Sequence, residues 1–506
     1  MEEKLKRFKT MLQELYDLQS ASLFLSWDQS TYMPPKAAQG HGRLAALLDR
    51  LAQERLVDPD LLRLLEELEP YAESLPFDDD DAALVRATRR EFERLGKVPP
   101  EFMSEFSEHS VAAYQTWMSA RSENNWKKIA PYLEKTLEFS RRFADYFPGY
   151  DHIADPLIAL ADFGMKAAEI RQIFAELREQ LVPLIEAIRG QPPVDASCLR
   201  GHFPKESQLR FTDEVIRELG YDFDRGRMDL THHPFTMPFS INDIRITTRV
   251  REDDISDCLF SAIHEAGHAM HFQGINPAYE ASPLFFSYSA SIGESQSRTW
   301  ENLVGRSRAF WKHYYPRLQV FFPEQFNHVP LENFYRAINQ VQPSLIRTDA
   351  DEVTYNLHPM IRFELEMELL EGSLAVKDLP EAWRESYRRD LGVTPSDDKD
   401  GVMQDVHWYV GFIGGMFQGY TLGNLLSAMF YEKALEAHPE IPQELENGQF
   451  KTLLGWLTEN IYRPGGKYTT LELTERVTGQ PGLDVQPLIR YFRSKYGEIY
   501  GFSPSG

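Results

Sequence analysis

His264-Glu265-Ala266-Gly267-His268 sets two histidines four residues apart with a glutamate directly after the first. On an α-helix, positions i and i+4 point the same way, so both imidazoles can reach one ion. Glu265 is then offset sideways, out of the ion's ligand sphere but within reach of a water the ion holds, which is where a general base must stand. With 14 histidines in the chain, such a pattern arises by accident on the order of a few per cent of the time, so context must decide. A catalytic zinc site takes three protein ligands and leaves the fourth position to water. The run HAMHFQGINP offers no histidine beyond His271, whereas ASIGESQSRTWENLVG carries Glu294 at the opening of a further amphipathic segment. The small residues Ser289, Ala290, Ser291 and Gly293 there permit close approach to another helix. His264, His268 and Glu294 are therefore the candidate metal ligands. His271 lies near the same face, but a fourth protein ligand would close the site to water, and it reads as a core or surface histidine.

Elements must hold these residues in place. Ile255, Leu259, Ile263 and the pair Ala266-Gly267 recur three or four apart and form the buried stripe of a helix, which Gly274 and Pro277 end. Ahead of it, SINDIRITTRV alternates: Ile244, Ile246, Thr248 and Val250 on one side, Arg245, Thr247 and Arg249 on the other, with Asn242-Asp243 as a turn. A small sheet is expected beside the histidine helix. Elsewhere the 3.6-residue period dominates, from the start to about residue 235 and again after residue 252. PFDDDDAAL supplies a helix cap, and GQPPVD, FFPEQFNHVP, VTPSDDKDG and RPGGK break the chain. The fold class this predicts is mostly α with a small β-sheet next to the site.

Composition narrows the partners. The 54 basic and 77 acidic residues give a net charge of −23, which repels phosphate backbones and anionic lipid and favours neither nucleic acid nor a membrane as partner. Cys198 and Cys258 are far apart and fit neither a zinc ribbon nor a disulfide framework. MEEKLKRFKTMLQELYDLQ lacks the apolar stretch of a secretory signal, and no apolar run approaches the ~20 residues a bilayer needs. A cytoplasmic protein is expected.

Five short motifs carry a resemblance. They are His233-Pro234-Phe235; Asp243, Arg245 and Thr247 in DIRIT; HEAGH; Glu294-Ser295-Gln296; and GVMQDVHW from Gly401 to Trp408. In this order they resemble the thermostable carboxypeptidase Taq family of zinc metallocarboxypeptidases, over the whole chain. IRTDADEVTYNLHPMIRFELE, 346 to 366, is similar to that family's long helix after HEAGH. The resemblance implies one large helical domain over 1–506, a two-lobed body with a deep groove, with a helical lobe at 1–235 and the sheet and metal-site helices at 236–506. It also implies zinc, with cobalt as an alternative, a homodimer, and removal of single residues from peptide C-termini with broad side-chain tolerance. Two departures stand out: Gly293 where the family has histidine, and Gly-Met-Phe-Gln-Gly-Tyr at 415–420 where it has an aromatic, proline-containing segment.

The mechanism implied is attack by a metal-bound water of pKa about 7, with Glu265 taking its proton and returning it to the leaving amine. Tyr420, then His407, are the candidate oxyanion donors. The substrate's terminal carboxylate calls for a guanidinium fork, with Arg347 the first candidate and Arg245 the second, while His233 is a further substrate contact. For both arginines an intramolecular pair, with Asp349 or Asp243, is the competing reading. An endo-acting oligopeptidase and a metal-stabilised scaffold without turnover are the rival functions.

Overall fold

Residues 1–286 and 289–502 are described by a computed structural model of the chain. The chain divides into two compact units, each gathered from three stretches. The first comprises Met1–Gly96, Val194–Ile338 and Ser427–Pro481; the second comprises Lys97–Pro193, Asn339–Leu426 and Gly482–Gly506.

In the first unit, helix α1 (Glu2–Thr31) precedes strands β1 (Met228–Leu230), β2 (Thr236–Ser240) and β3 (Asp243–Thr248), helix α2 (Ile255–Gln273) and helix α3 (Ala290–Arg298). The sheet order is β1-β3-β2, with β1 parallel and β2 antiparallel to β3, so that Ile246 pairs with both Met228 and Thr236. The alternation read from the sequence is β3, which ends at Thr248, two residues before Val250. Arg249 turns away there to pair with Asp257 at 2.6 and 2.8 Å. β1 has only three residues and β2 carries Pro238 beside a register shift, which is why neither shows a readable period.

Asp254 caps α2 by accepting from the Ser256 amide at 2.9 Å, and the helix stops before Gly274 as expected. The single buried stripe expected for α2 is a correction: β2, β3, the helix Lys205–Leu219 and α3 all pack on it, and most of its side chains are buried. Asp257, Ser261, His264 and His268, spaced four, three and four, form the face that stays partly accessible. Polar side chains tie α2 to the sheet. Thr248 Oγ lies 2.9 Å from Ser261 Oγ and donates to the Cys258 carbonyl at 3.1 Å.

In the second unit, the helices Pro100–Ser122, Trp126–Asp145 and Ala167–Arg189 accompany α4 (Leu357–Glu371), Leu379–Leu391 and Gln486–Tyr500, and α5 (Gln418–Ala437) begins here. The helix expected across 346–366 forms only from Leu357. Short 3₁₀ turns at Arg347–Asp349 and Thr354–Asn356 replace its first half. The Asp351 carboxylate accepts the amides of Gln342, Val353 and Thr354 at 2.9 to 3.0 Å and the Thr354 hydroxyl at 2.6 Å, a local competitor that outbids the helical ladder. The chain is thus helix-dominated with one small sheet beside the histidine helix. Among the described residues, no helix is long and apolar enough to cross a membrane.

Candidate metal centre

His264 and His268 lie one turn apart on α2, their rings 4.9 Å apart and nearly perpendicular. Glu294 reaches them from α3. Its Oε2 lies 3.6 Å from His264 Nε2 and 3.5 Å from His268 Nε2, and one ligand atom from each of the three falls within 4.8 Å of the others. Two atoms bound tetrahedrally to one ion at ~2.0–2.1 Å stand about 3.4 Å apart, so the donor set fits a zinc-sized cation. Gly267 makes this approach possible. A Cβ there would sit 2.7 Å from the Ser297 Cα and 2.9 Å from the Gln296 carbonyl, so any side chain would push α3, and Glu294 with it, away. Gly293, the first departure, is buried in the opening turn of α3, its amide donating to the Ser289 carbonyl at 3.0 Å.

A layer of charge surrounds the three. Glu301 Oε2 accepts from His264 Nδ1 at 2.9 Å, which leaves Nε2 facing Glu294 and the ion position. Arg298 donates from Nε to Glu294 Oε1 at 2.7 Å and from Nη1 to Glu301 Oε2 at 3.0 Å, and Arg306 reaches Glu301 Oε1 at 3.4 Å. Burial raises the pKa of both carboxylates, but Arg298 and the imidazoles overcome it, pulling Glu294 well below its usual range and Glu301 down to about 2. Burial and Arg298 would lower His264, but the Glu294 and Glu301 carboxylates raise it. Glu301 sits in a π-helical turn, Thr299–Val304, that continues α3.

Glu265 is buried on the neighbouring face of α2. The Thr236 hydroxyl lies 2.6 Å from its Oε2 and 3.0 Å from its carbonyl, so β2 anchors the carboxylate. His271 falls outside the triad. It is buried among the rings of Phe272 and Tyr462, and burial pushes its pKa down to about 3, the behaviour of a core histidine.

The other candidates fall in two places. In the first unit, Arg245 pairs with Asp243 at 2.7 and 2.8 Å and stacks over Phe24, Trp27 and Phe239, the intramolecular arrangement weighed for it. His233 is exposed in the turn before β2, its carbonyl accepting from Thr231. In the second unit, Arg347, His407 and Tyr420 come together around Asp405. Arg347 Nε donates to Asp405 Oδ2 at 2.8 Å and its Nη1 to Tyr355 at 3.1 Å, so its partner is Asp405 rather than Asp349. Asp405 Oδ1 accepts from His407 Nδ1, and His407 Nε2 then faces the Tyr420 hydroxyl at 3.3 Å. Burial would raise Asp405, but Arg347, His407 and Arg362 hold it well below the carboxylate range.

In the altered segment 415–420, a Cβ on Gly415 would meet the Leu157 carbonyl at 2.5 Å, and Tyr420 falls in the first turn of α5. Behind His407, Trp408 Nε1 donates to Glu366 Oε1 at 2.7 Å. Burial lifts Glu366 to about 8 against the pull of Trp408, the Gly414 amide and Arg362.

Sequence reasoning missed Glu301, Arg298, Asp405 and Thr236. Glu301 follows Glu294 by seven residues, two helical turns on the same face, and Asp405 precedes His407 by two, so both carried a signal. Thr236 carried none.

Three side chains that could hold an ion, beside a carboxylate anchored from a strand, would be equipped to activate water against a polarised bond, the donor set of a metal-dependent hydrolase. The profile of the Carboxypeptidase Taq (M32) metallopeptidase family matches residues 7–496. Thermostable carboxypeptidase 1 of Thermus thermophilus is 39% identical, with 96% of each chain covered, and carboxypeptidase 1 of Bacillus subtilis is 35% identical, with 98% of each covered. The crystal structure of the M32 carboxypeptidase from Deinococcus radiodurans R1 superposes with a TM-score of 0.95 at 47% identity, over 98% of this chain and 99% of that one. The chain belongs to the carboxypeptidase Taq (M32) metallopeptidase family, and it is a metal-dependent carboxypeptidase.

Proposed function

We propose that the chain holds one zinc ion, with cobalt as an alternative occupant, through His264, His268 and Glu294, and releases single amino acids from the C-termini of peptides with broad side-chain tolerance. The observation that carries this reading is the convergence of two Nε2 atoms and one carboxylate oxygen within 4.8 Å, beside Glu265. When bound, the ion polarises the scissile carbonyl and lowers the pKa of a water to about 7. Glu265, its Oε2 held by Thr236, takes the proton of the attacking water and returns it to the leaving amine. Tyr420 is the oxyanion donor and His407 the second. Asp405 orients the His407 ring by accepting from Nδ1, and the Tyr420 hydroxyl, 3.3 Å from Nε2, turns its single proton from that nitrogen to the oxyanion when substrate is bound. Arg347 captures the terminal carboxylate, with Arg245 and His233 as further substrate contacts. The protein works in the cytoplasm as a homodimer, as one large helical domain, and takes peptides rather than nucleic acid or membrane.

One observation favours an endo-acting oligopeptidase instead: Arg347 already spends Nε on Asp405 and Nη1 on Tyr355. Mass spectrometry of a free-acid peptide and its C-terminal amide, each incubated with metal-loaded protein, separates the two. Ladders from the free acid and little cleavage of the amide are expected. Internal cuts, equal for both, would replace carboxylate capture with the endo reading.

A further inference from the structure

Arg298 is an unexpected neighbour for a cation site. Its side chain is mostly buried, at 13% exposure, and a fixed positive charge beside a divalent ion lowers the ion's affinity. A residue serving only to gather metal would not be a cation. What Arg298 does is occupy one particular oxygen. Nε donates to Glu294 Oε1 at 2.7 Å, while Oε2 lies 3.5 and 3.6 Å from the two imidazoles and accepts from the Ser297 hydroxyl at 3.3 Å. Carboxylates bind ions through one oxygen or both, and an unrestrained one can close onto the ion with its second.

We propose that Arg298 is a positioning residue that restricts Glu294 to one ligating oxygen and so keeps a coordination position open for the water that Glu265 serves.

The guanidinium is itself held between two carboxylates. Nη1 donates to Glu301 Oε2 at 3.0 Å, the same oxygen that accepts from His264 Nδ1 at 2.9 Å. Glu294, Arg298, Glu301 and His264 thus form a closed ring of contacts, in which rotating the Glu294 carboxylate breaks a buried charge-assisted bond. Sequence spacing builds the ring: Arg298 is four residues after Glu294, and Glu301 three after Arg298, all on one helix face. The π-turn fixes the last of these. The Gly305 amide donates to the Trp300 carbonyl at 2.8 Å, and a Cβ on Gly305 would lie 2.8 Å from the Glu301 carbonyl and 3.3 Å from Ile263, the residue before His264. Glycine therefore lets the turn that bears Glu301 close against the histidine helix.

This inference rests on the metal site proposed above, and the test separates the two. Cobalt(II) replaces the native ion, and cobalt content and the visible d–d spectrum are measured for the unsubstituted protein, Arg298→Met and Arg298→Lys. The intensity of that spectrum falls as coordination number rises. Arg298→Met is expected to keep one cobalt per chain, bound at least as tightly, with a loss of d–d intensity and a fall in kcat on the order of tenfold to a hundredfold. Arg298→Lys, which keeps a cation beside Oε1, is expected to retain the original spectrum. If Arg298→Met carries a full cobalt load with an unchanged spectrum, or if both variants lose intensity alike, Arg298 is a packing ion pair and the proposal fails. Absence of cobalt from the unsubstituted protein would instead overturn the metal site itself. Melting curves establish that the variants fold, and Arg298→Gln takes the place of the methionine variant should that one not.

Discussion

Replacing Glu366 by glutamine should make the protein more stable in mild alkali, by an amount the structure sets. Glu366 is 1% exposed, and burial lifts its carboxyl from 4.5 to about 8. A raised carboxyl pKa means that the folded state prefers the neutral acid. The stability this contributes is therefore full below about 4.5, declines as the pH rises from there, and is gone above about 8. At ~1.4 kcal/mol for each tenfold, ionisation across that interval costs the folded state on the order of 5 kcal/mol. Glutamine keeps a carbonyl oxygen for the Trp408 indole N–H and never ionises. Unfolding 506 residues carries an entropy of roughly 1 kcal/mol per kelvin, and about 4 kcal/mol of the loss falls between pH 5 and pH 9, so the melting temperature of the glutamine variant relative to the parent should climb by about 4 °C over that range. Differential scanning calorimetry of both proteins at unit intervals of pH measures this directly, because the other titrating groups cancel in the difference. Two curves that run parallel from pH 5 to 9 would refute the argument, since they would mean that Glu366 ionises in the folded protein without penalty.

Two further outcomes follow from the metal centre. Gly267→Ala should separate α2 from α3, lowering metal content and destabilising the fold by about 1–3 kcal/mol, as elemental analysis and melting would record; a full metal load at native stability would show that the 2.7 Å approach is not needed. Glu265→Gln should keep its metal and its melting temperature while kcat falls by about 10²–10⁴, and near-native turnover would remove Glu265 from its role.

The grouping of the three candidate ligands was legible because its signal is local. His264 and His268 need only the helical repeat, and Glu294 only a small-residue segment downstream. β3 was legible for the same reason, as a clean alternation over Ile244, Ile246 and Thr248. What escaped was set by tertiary packing. α2 looked one-sided in sequence because Ala262 and Ala269, off the expected stripe, carry little hydrophobic signal, yet small residues such as these are what let neighbours press in from several sides. The 346–356 segment carried helical periodicity, but Asp351 captured the amides. Arg347 was matched to an acid two residues away, whereas its partner, Asp405, lies 58 residues on, a pairing no local pattern encodes.

Both units are stitched from distant stretches of chain, and this bears on how the protein is made. Residues 1–96 belong with 427–481, so the first unit cannot be completed until residue 481 has left the ribosome. At ~5–20 residues per second, the earliest helices wait roughly twenty seconds to a minute and a half for their last partners. Leu12, Leu15 and Leu65, buried in the finished protein, must be shielded meanwhile by transient collapse or by chaperones. Nor can a single proteolytic cut release either unit whole.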